Sequence, residues 1–399
     1  MPALSNRAQI MPPSPIRKLV PYADQAKKNG RHVYHLNIGQ PDIKTPQTYW
    51  HAIEHHGRSV LEYGPSAGLT SYREKLVTYY KKYGINVDVE DILVTTGGSE
   101  AIIFTMMAIT DPDDEIIVPE PFYTNYNGFA VESAAKIIPI TSYIEDDFQL
   151  PPIDTIREKI TDRTRAIMIC NPNNPTGYVY SKDEMEALRE IVLERDLFLL
   201  ADEVYREFCY DGLSHTSVMH LDGISDRSVL LDSVSKRFSA CGARIGCIVS
   251  KNKDIIQTAL RFGMARLCPP TLGQLGAEAG IDTPESYFNE VLEEYTERRD
   301  VMVTALREMP GVIAPMPTGA FYLVARLPVD NADKFAQWLL TDFHVNNETV
   351  MVAPANGFYS TEGLGTDEVR IAYVLNVEDI RAAMHILAEG LKAYPGYTR

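Results

Sequence analysis

The chain has 399 residues, 45% hydrophobic and 23% charged, a balance that supports a sizeable core and excludes disorder as the main state. Its formal net charge of −16 makes most of the surface repel phosphate backbones and anionic lipid head groups, which speaks against nucleic-acid and membrane partners. Gly and Pro number 25 each, ordinary usage that excludes collagen-like and low-complexity architectures.

In chain order, the N-terminal stretch shows no apolar leader behind its basic residues, and no later run reaches the roughly eighteen uncharged apolar residues that span a bilayer. The five cysteines, Cys170, Cys209, Cys241, Cys247 and Cys268, form no C-x-x-C pair and leave an odd thiol. Neither a disulfide framework nor a metal site is expected, and the expected location is cytoplasmic. Short apolar runs at Ile92–Thr96, Glu115–Val118, Lys136–Ile140, Ala166–Cys170, Phe198–Ala201, Val229–Asp232 and Gly246–Ser250 alternate with helical patterns. That alternation predicts an α/β fold whose large domain carries a mostly parallel seven-stranded sheet sandwiched by helices. Ser181 and Glu184 have the capping-box spacing and precede Met185, Leu188, Ile191 and Val192 at helical intervals. From Pro284 the pattern changes: a long charged helix to Arg307, strands at Gly319–Leu327 and Val350–Ala353, and an amphipathic helix over Val377–Ala393. This predicts a smaller α+β domain.

Four segments carry the chemistry. The first runs from Ser233 through Lys236 to Arg244 and begins where a buried strand ends, the place where α/β sheets hold ligands. A lysine desolvated there can form a Schiff base, and Ser233 and Arg244 offer donors for a phosphate; a basic loop in solvent is the plain alternative. The second is Asp202, a carboxylate at the end of the apolar run Phe198–Ala201, with Tyr205 three residues on. Such a charge needs a partner, and a protonated pyridine nitrogen would be one; a helix cap is the other reading. The third is the rigid turn Asn171-Pro-Asn-Asn174-Pro-Thr-Gly177. The fourth is Gly97-Gly98-Ser99 at the start of a helix, an anion site through its backbone N–H groups, with Ser99 either on a phosphate or a simple N-cap.

In this order the four segments resemble the class I and II aminotransferases, the fold-type-I pyridoxal-phosphate enzymes, from about Ser14 to the C-terminus. The resemblance implies 1–50 as an N-terminal segment joining the small domain, 51–290 as the large cofactor-binding domain and 291–399 as the small C-terminal domain. It implies that Lys236 holds pyridoxal 5'-phosphate as an internal aldimine and then moves the substrate proton, and that Asp202 pairs with the pyridine nitrogen. It also implies that Asn174 and Tyr205 bond the ring hydroxyl, Tyr123 (or Phe122) stacks on the ring, and Gly98, Ser99, Ser233 and Arg244 hold the phosphate. Tyr63 matches the tyrosine that reaches the partner subunit's phosphate, which implies a homodimer with shared active sites. Gly39, Asn174 and Arg370 would bind substrate, Arg370 clamping the α-carboxylate.

The implied function is transfer of an amino group from an L-amino acid to a 2-oxo acid such as 2-oxoglutarate by a ping-pong cycle. Carbon–sulfur β-lyases and aminocyclopropane-carboxylate synthases share the cofactor motifs and are the alternative. A regulator built on the same scaffold would carry an added helix-turn-helix domain, against which stand the roughly thirteen residues before Ser14. Aspartate is hypothesised as donor, with Arg266 binding its distal group from the neighbouring subunit.

Overall fold

In the computed structural model, which describes residues 2–398, the apolar runs become strands. In chain order these are β1 His32–His35, β2 Ile92–Thr95, β3 Glu115–Glu120, β4 Lys136–Thr141, β5 Thr164–Cys170 and β6 Phe198–Asp202. They continue with β7 Ser228–Ser233, β8 Gly246–Val249, β9 Tyr322–Arg326, β10 Glu348–Met351, β11 Ala353–Pro354 and β12 Glu368–Ala372. All seven runs predicted for the large sheet join it, in the order β2-β8-β7-β6-β5-β3-β4. Strands β4, β3, β5, β6 and β7 pair in parallel, whereas β8 runs antiparallel to both β2 and β7, so the sheet is mixed. Several strands outrun the apolar stretch that announced them. Polar Thr164 and Ser233 are held in the ladder opposite Glu115 and Gly246, where hydrogen bonding rather than apolarity decides the boundary.

Successive side chains alternate between the faces of the sheet. Ile167, Ile169, Leu199 and Ala201 enter one core with Leu76, Leu188 and Ile191. Met168 and Leu200 enter the other with Ile102, Met106 and Tyr126. With both faces covered, each fully buried Leu or Ile contributes roughly 1.5–3 kcal/mol. The helix Lys182–Arg195 starts on the predicted capping box: the Ser181 hydroxyl accepts from Glu184 N–H at 3.2 Å, and the Glu184 carboxylate accepts from Ser181 N–H at 2.7 Å.

The C-terminal part builds a three-stranded antiparallel sheet, β11-β12-β9, and β10 pairs in parallel with β1. That pairing draws the N-terminal segment onto the C-terminal layer, where Leu19, Ala23 and Ala26 share a core with Leu387 and Leu391 of the helix Val377–Ala393. The expected boundary at residue 290 falls inside a continuous helix, Glu285–Arg307. Among the described residues no helix is long and apolar enough to cross a membrane, and no cluster of His, Cys, Asp or Glu could hold a metal ion.

Because β8 reverses direction twice over, β2 runs parallel to β3, β5, β6 and β7. Their C-terminal ends, Thr95, Glu120, Cys170, Asp202 and Ser233, therefore lie along one edge of the sheet, and every candidate segment leaves from it.

Candidate active site

That edge forms the floor of a cavity of about 590 Å³. Eleven of the sequence-predicted residues line it: Gly39, Gly98, Ser99, Tyr123, Asn174, Asp202, Tyr205, Ser233, Lys236, Arg244 and Arg370. Tyr63 does not: it is 79% exposed on a single chain. Phe122 is buried in the core, stacked on Tyr126 at 6.0 Å, so of the two aromatic candidates it is Tyr123 that faces the cavity. Arg266 lies outside it as well, its Nε 3.2 Å from Glu100 and its Nη2 donating to Val94 O at 3.4 Å.

One end of the cavity is an anion cradle. The helix Gly97–Ile109 begins after Thr96, which makes Ser99 its third residue and removes the N-cap reading for that serine. Gly97 has φ +80°, and a Cβ there would lie 2.3 Å from Arg244 Nη2. Only glycine lets the guanidinium cross so close to the helix start. The Ser233 hydroxyl donates to Ile245 O at 3.0 Å and meets the Ser235 hydroxyl at 2.7 Å. Hydroxyls, the first N–H groups of a helix and an arginine thus converge on one corner.

Across the cavity floor stands Asp202. It continues the alternation of Leu200 and so turns to the face of the sheet that holds Tyr126, whose hydroxyl donates to it at 2.7 Å. Its second oxygen receives only a 3.4 Å contact from Val204 N–H, and no helix follows for it to cap. No cation pairs with it among the described residues, and burial pushes the carboxyl up to about 6 against the lowering pull of the Tyr126 hydroxyl. A buried carboxylate held without a cation waits for a positive ligand.

Lys236 sits on the short helix Val234–Arg237 immediately after β7. Its Nζ donates to Gly39 O at 2.8 Å and lies 5.9 Å from the Tyr205 ring centre and 5.8 Å from that of Phe321. Gly39 is itself pinned: a Cβ there would sit 1.7 Å from the Tyr322 hydroxyl, so the backbone reaches the lysine only because the residue is glycine. Tyr205 and Tyr322 share a hydrogen bond at 2.9 Å.

Arg370, from β12, closes the far side. It is 2% exposed, donates to Asn174 Oδ1 at 3.2 Å and to Asn37 O, and lies over the rings of Tyr322 and Phe358 at 4.7 and 4.9 Å. Its Nε has no partner, it faces no carboxylate among the described residues, and desolvation lowers its pKa. Sequence reasoning missed Tyr126, Tyr322 and Ser235. No local signal marks the two tyrosines, whereas Ser235 stood inside the quoted segment.

The comparisons with known proteins agree with this geometry. The family model described as aminotransferase class I and II matches residues 31–387. The chain is 30% identical over 395 residues to an aspartate aminotransferase of Bacillus subtilis, covering 96% of this chain and 97% of that one. It is 30% identical over 398 residues to aromatic-amino-acid aminotransferase 2 of Thermococcus litoralis, covering 98% of each. Among solved structures, an aspartate aminotransferase mutant of Thermus thermophilus superposes with TM-score 0.90 at 28% identity, covering 98% of this chain and 100% of its own. An alanine aminotransferase of Pyrococcus furiosus superposes with TM-score 0.89 at 31% identity, with the same coverage. On these matches and the site they fall on, the chain belongs to the aminotransferase class I and II family.

Proposed function

We propose that this protein is a pyridoxal-phosphate-dependent aminotransferase that moves the amino group of an L-amino acid to a 2-oxo acid such as 2-oxoglutarate in two half-reactions. The observation that carries the reading is that Lys236, Asp202, Arg244 and Arg370 line one cavity, in which the buried Asp202 meets no cation and the buried Arg370 no carboxylate among the described residues. The residues fit the cofactor: the glycine-cleared corner at Gly97 suits a phosphate, and the unpaired Asp202 suits a protonated ring nitrogen. When bound, pyridoxal phosphate supplies an electron sink that makes the Cα–H bond of an attached amino acid acidic.

The protein's own groups do the rest. Gly98, Ser99, Ser233 and Arg244 hold the phosphate, and Tyr123 covers the ring face. Asp202, kept ionised by a cationic partner, holds charge where it is needed, with Tyr126 fixing its orientation. Asn174 and Tyr205 bond the ring hydroxyl. Arg370 clamps the substrate α-carboxylate bidentately, which directs the Cα–H bond toward Lys236. Lys236 Nζ, released from Gly39 O, takes the Cα proton and returns it.

Five cysteines without a C-x-x-C pair support a reducing, cytoplasmic location. Tyr63, exposed and away from its own cavity, supports a homodimer in which it reaches the partner's phosphate site. The pairing of β1 with β10 supports an N-terminal segment that belongs with the C-terminal domain, the large domain lying between them.

Borohydride treatment of the loaded protein should attach the cofactor's mass to the peptide containing Lys236. The Lys236→Ala protein should bind cofactor without that attachment and lose turnover by several orders of magnitude. An attachment that persists in Lys236→Ala would overturn the assignment. Ammonia and pyruvate as products would shift the reading to β-elimination.

A further inference from the structure

Four cationic side chains and a single carboxylate line the cavity: Arg17, Lys236, Arg244 and Arg370 against Asp202. In the reading above the phosphate occupies Arg244, the α-carboxylate occupies Arg370, and Lys236 handles the proton. Arg17 is left over. It makes no ion pair and no side-chain hydrogen bond among the described residues, and it is exposed at the mouth.

Its place is nevertheless well defined, because the residues around it are anchored. Pro15 lies so close to Gly357 that a Cβ there would fall 2.3 Å from Pro15 Cβ. Ile16 packs on the cluster that contains Val324, Ala353 and Phe358. Lys18 forms an ion pair with Asp333, and Leu19 is 4% exposed in the C-terminal core. Around the residue itself the backbone is bonded from Arg17 N–H to Ser14 O at 3.2 Å and from Val20 N–H to Arg17 O at 3.1 Å.

The anchoring also fixes the side of the cavity. Val324 and Ala353 are the residues that flank Arg370 across the sheet, so Ile16 seats the segment on the layer that carries Arg370. Gly98, Ser99, Ser233 and Arg244 belong instead to segments that adjoin strands of the large sheet. Arg17 therefore belongs to the substrate end.

We propose that Arg17 binds the side-chain carboxylate of a dicarboxylic substrate whose α-carboxylate is held by Arg370, so that the site favours aspartate, glutamate and their oxo acids over neutral partners. The proposal rests on the aminotransferase reading. Arg266, expected to act from the neighbouring subunit, bonds Glu100 and Val94 within its own chain.

The test uses the full-length, cofactor-loaded protein and two probes that do not react, succinate and propionate, with dissociation constants from calorimetry. Loss of a charge-assisted contact in Arg17→Met should weaken succinate on the order of 10- to 100-fold and leave propionate within about twofold. The aspartate-to-alanine ratio of kcat/KM should fall in parallel, and Arg17→Lys, which keeps the charge, should recover part of the succinate affinity. A succinate-to-propionate ratio unchanged in Arg17→Met, or wild-type protein that binds succinate no better than propionate, overturns the Arg17 assignment and leaves the aminotransferase reading standing. Wild-type protein that turns over neutral amino acids but not aspartate or glutamate overturns the Arg17 assignment alone, whereas protein that releases an oxo acid from none of the amino acids tried overturns the reading on which it rests.

Discussion

Single residues show where stability is given up for chemistry. Asp202 is the sharpest case. Carried by burial from 3.8 to about 6, its carboxyl costs the cofactor-free fold on the order of 3 kcal/mol at neutral pH. Its folded-state pKa lies above the unfolded value, so the folded state binds the extra proton between about pH 4 and pH 6. Stability of the cofactor-free protein therefore falls as pH rises through that window. Asp202→Asn should raise its melting temperature at pH 8 and flatten the decline between pH 4 and 6, while lowering turnover of the loaded enzyme by several orders of magnitude. Scanning calorimetry of both proteins at pH 4 and 8 checks this; an Asn variant that melts lower at pH 8 would contradict it. Lys236 and Asp202 were legible in the sequence because each follows a strand too apolar to be exposed. Tyr126 was not, because it meets Asp202 from 76 residues away and only the pleat of the sheet brings them together.

At the scale of elements, the loop after β6 and the short helix after β7 are locked together beneath the site. Asp232 accepts from Tyr80 at 2.8 Å, from Arg206 at 3.3 Å and from Arg237 at 2.5 Å. Arg237 also bonds Glu207 at 2.7 Å, and Arg206 bonds Glu203 at 2.9 Å; the side chains of Arg206, Arg237, Glu203 and Asp232 are at most 2% exposed and that of Glu207 7%. Arg237 is the neighbour of Lys236 in sequence, so this network holds the helix that carries the lysine. Arg237→Met should cost about 3–5 kcal/mol, because it leaves two buried carboxylates short of a cation. Urea unfolding measures it, and a loss under about 1 kcal/mol would show the pair to be dispensable. The two arginines hold the Asp232 carboxyl below its ordinary range, so the stability it contributes is present above about pH 4 and is lost as acid protonates it. At the opposite corner, Gly97→Ala would place a Cβ on the Arg244 guanidinium at a positive φ. Pyridoxal phosphate should bind at least about tenfold more weakly, by fluorescence titration, with far-UV circular dichroism unchanged. Strands and the capped helix Lys182–Arg195 were legible because apolar runs and cap chemistry are local. The ion network was not, because its charges are spread from Tyr80 to Arg237 and only the topology assembles them.

For the whole molecule, the alternation of strand and helix in the sequence was enough to foresee a mostly parallel seven-stranded sheet, though not the antiparallel β8 that makes it mixed, and the pattern change after Pro284 foresaw the second layer. The return of the N-terminal segment to that layer depends on the β1–β10 pairing, which no sequence period records. Val60, Leu61 and Tyr63 form an exposed apolar stretch among the described residues. The proposed homodimer would cover it: sedimentation should then give twice the 44.7 kDa chain mass, with Tyr63→Ala weakening cofactor affinity more than it alters the mass. The most direct test of the central claim is to mix the cofactor-loaded protein with aspartate alone and quantify the oxo acid released. Transamination predicts about one equivalent of oxaloacetate per site, no free ammonia, and continuous turnover only after 2-oxoglutarate is added. Continuous release of ammonia, or no oxo acid from any amino acid tried, would contradict it.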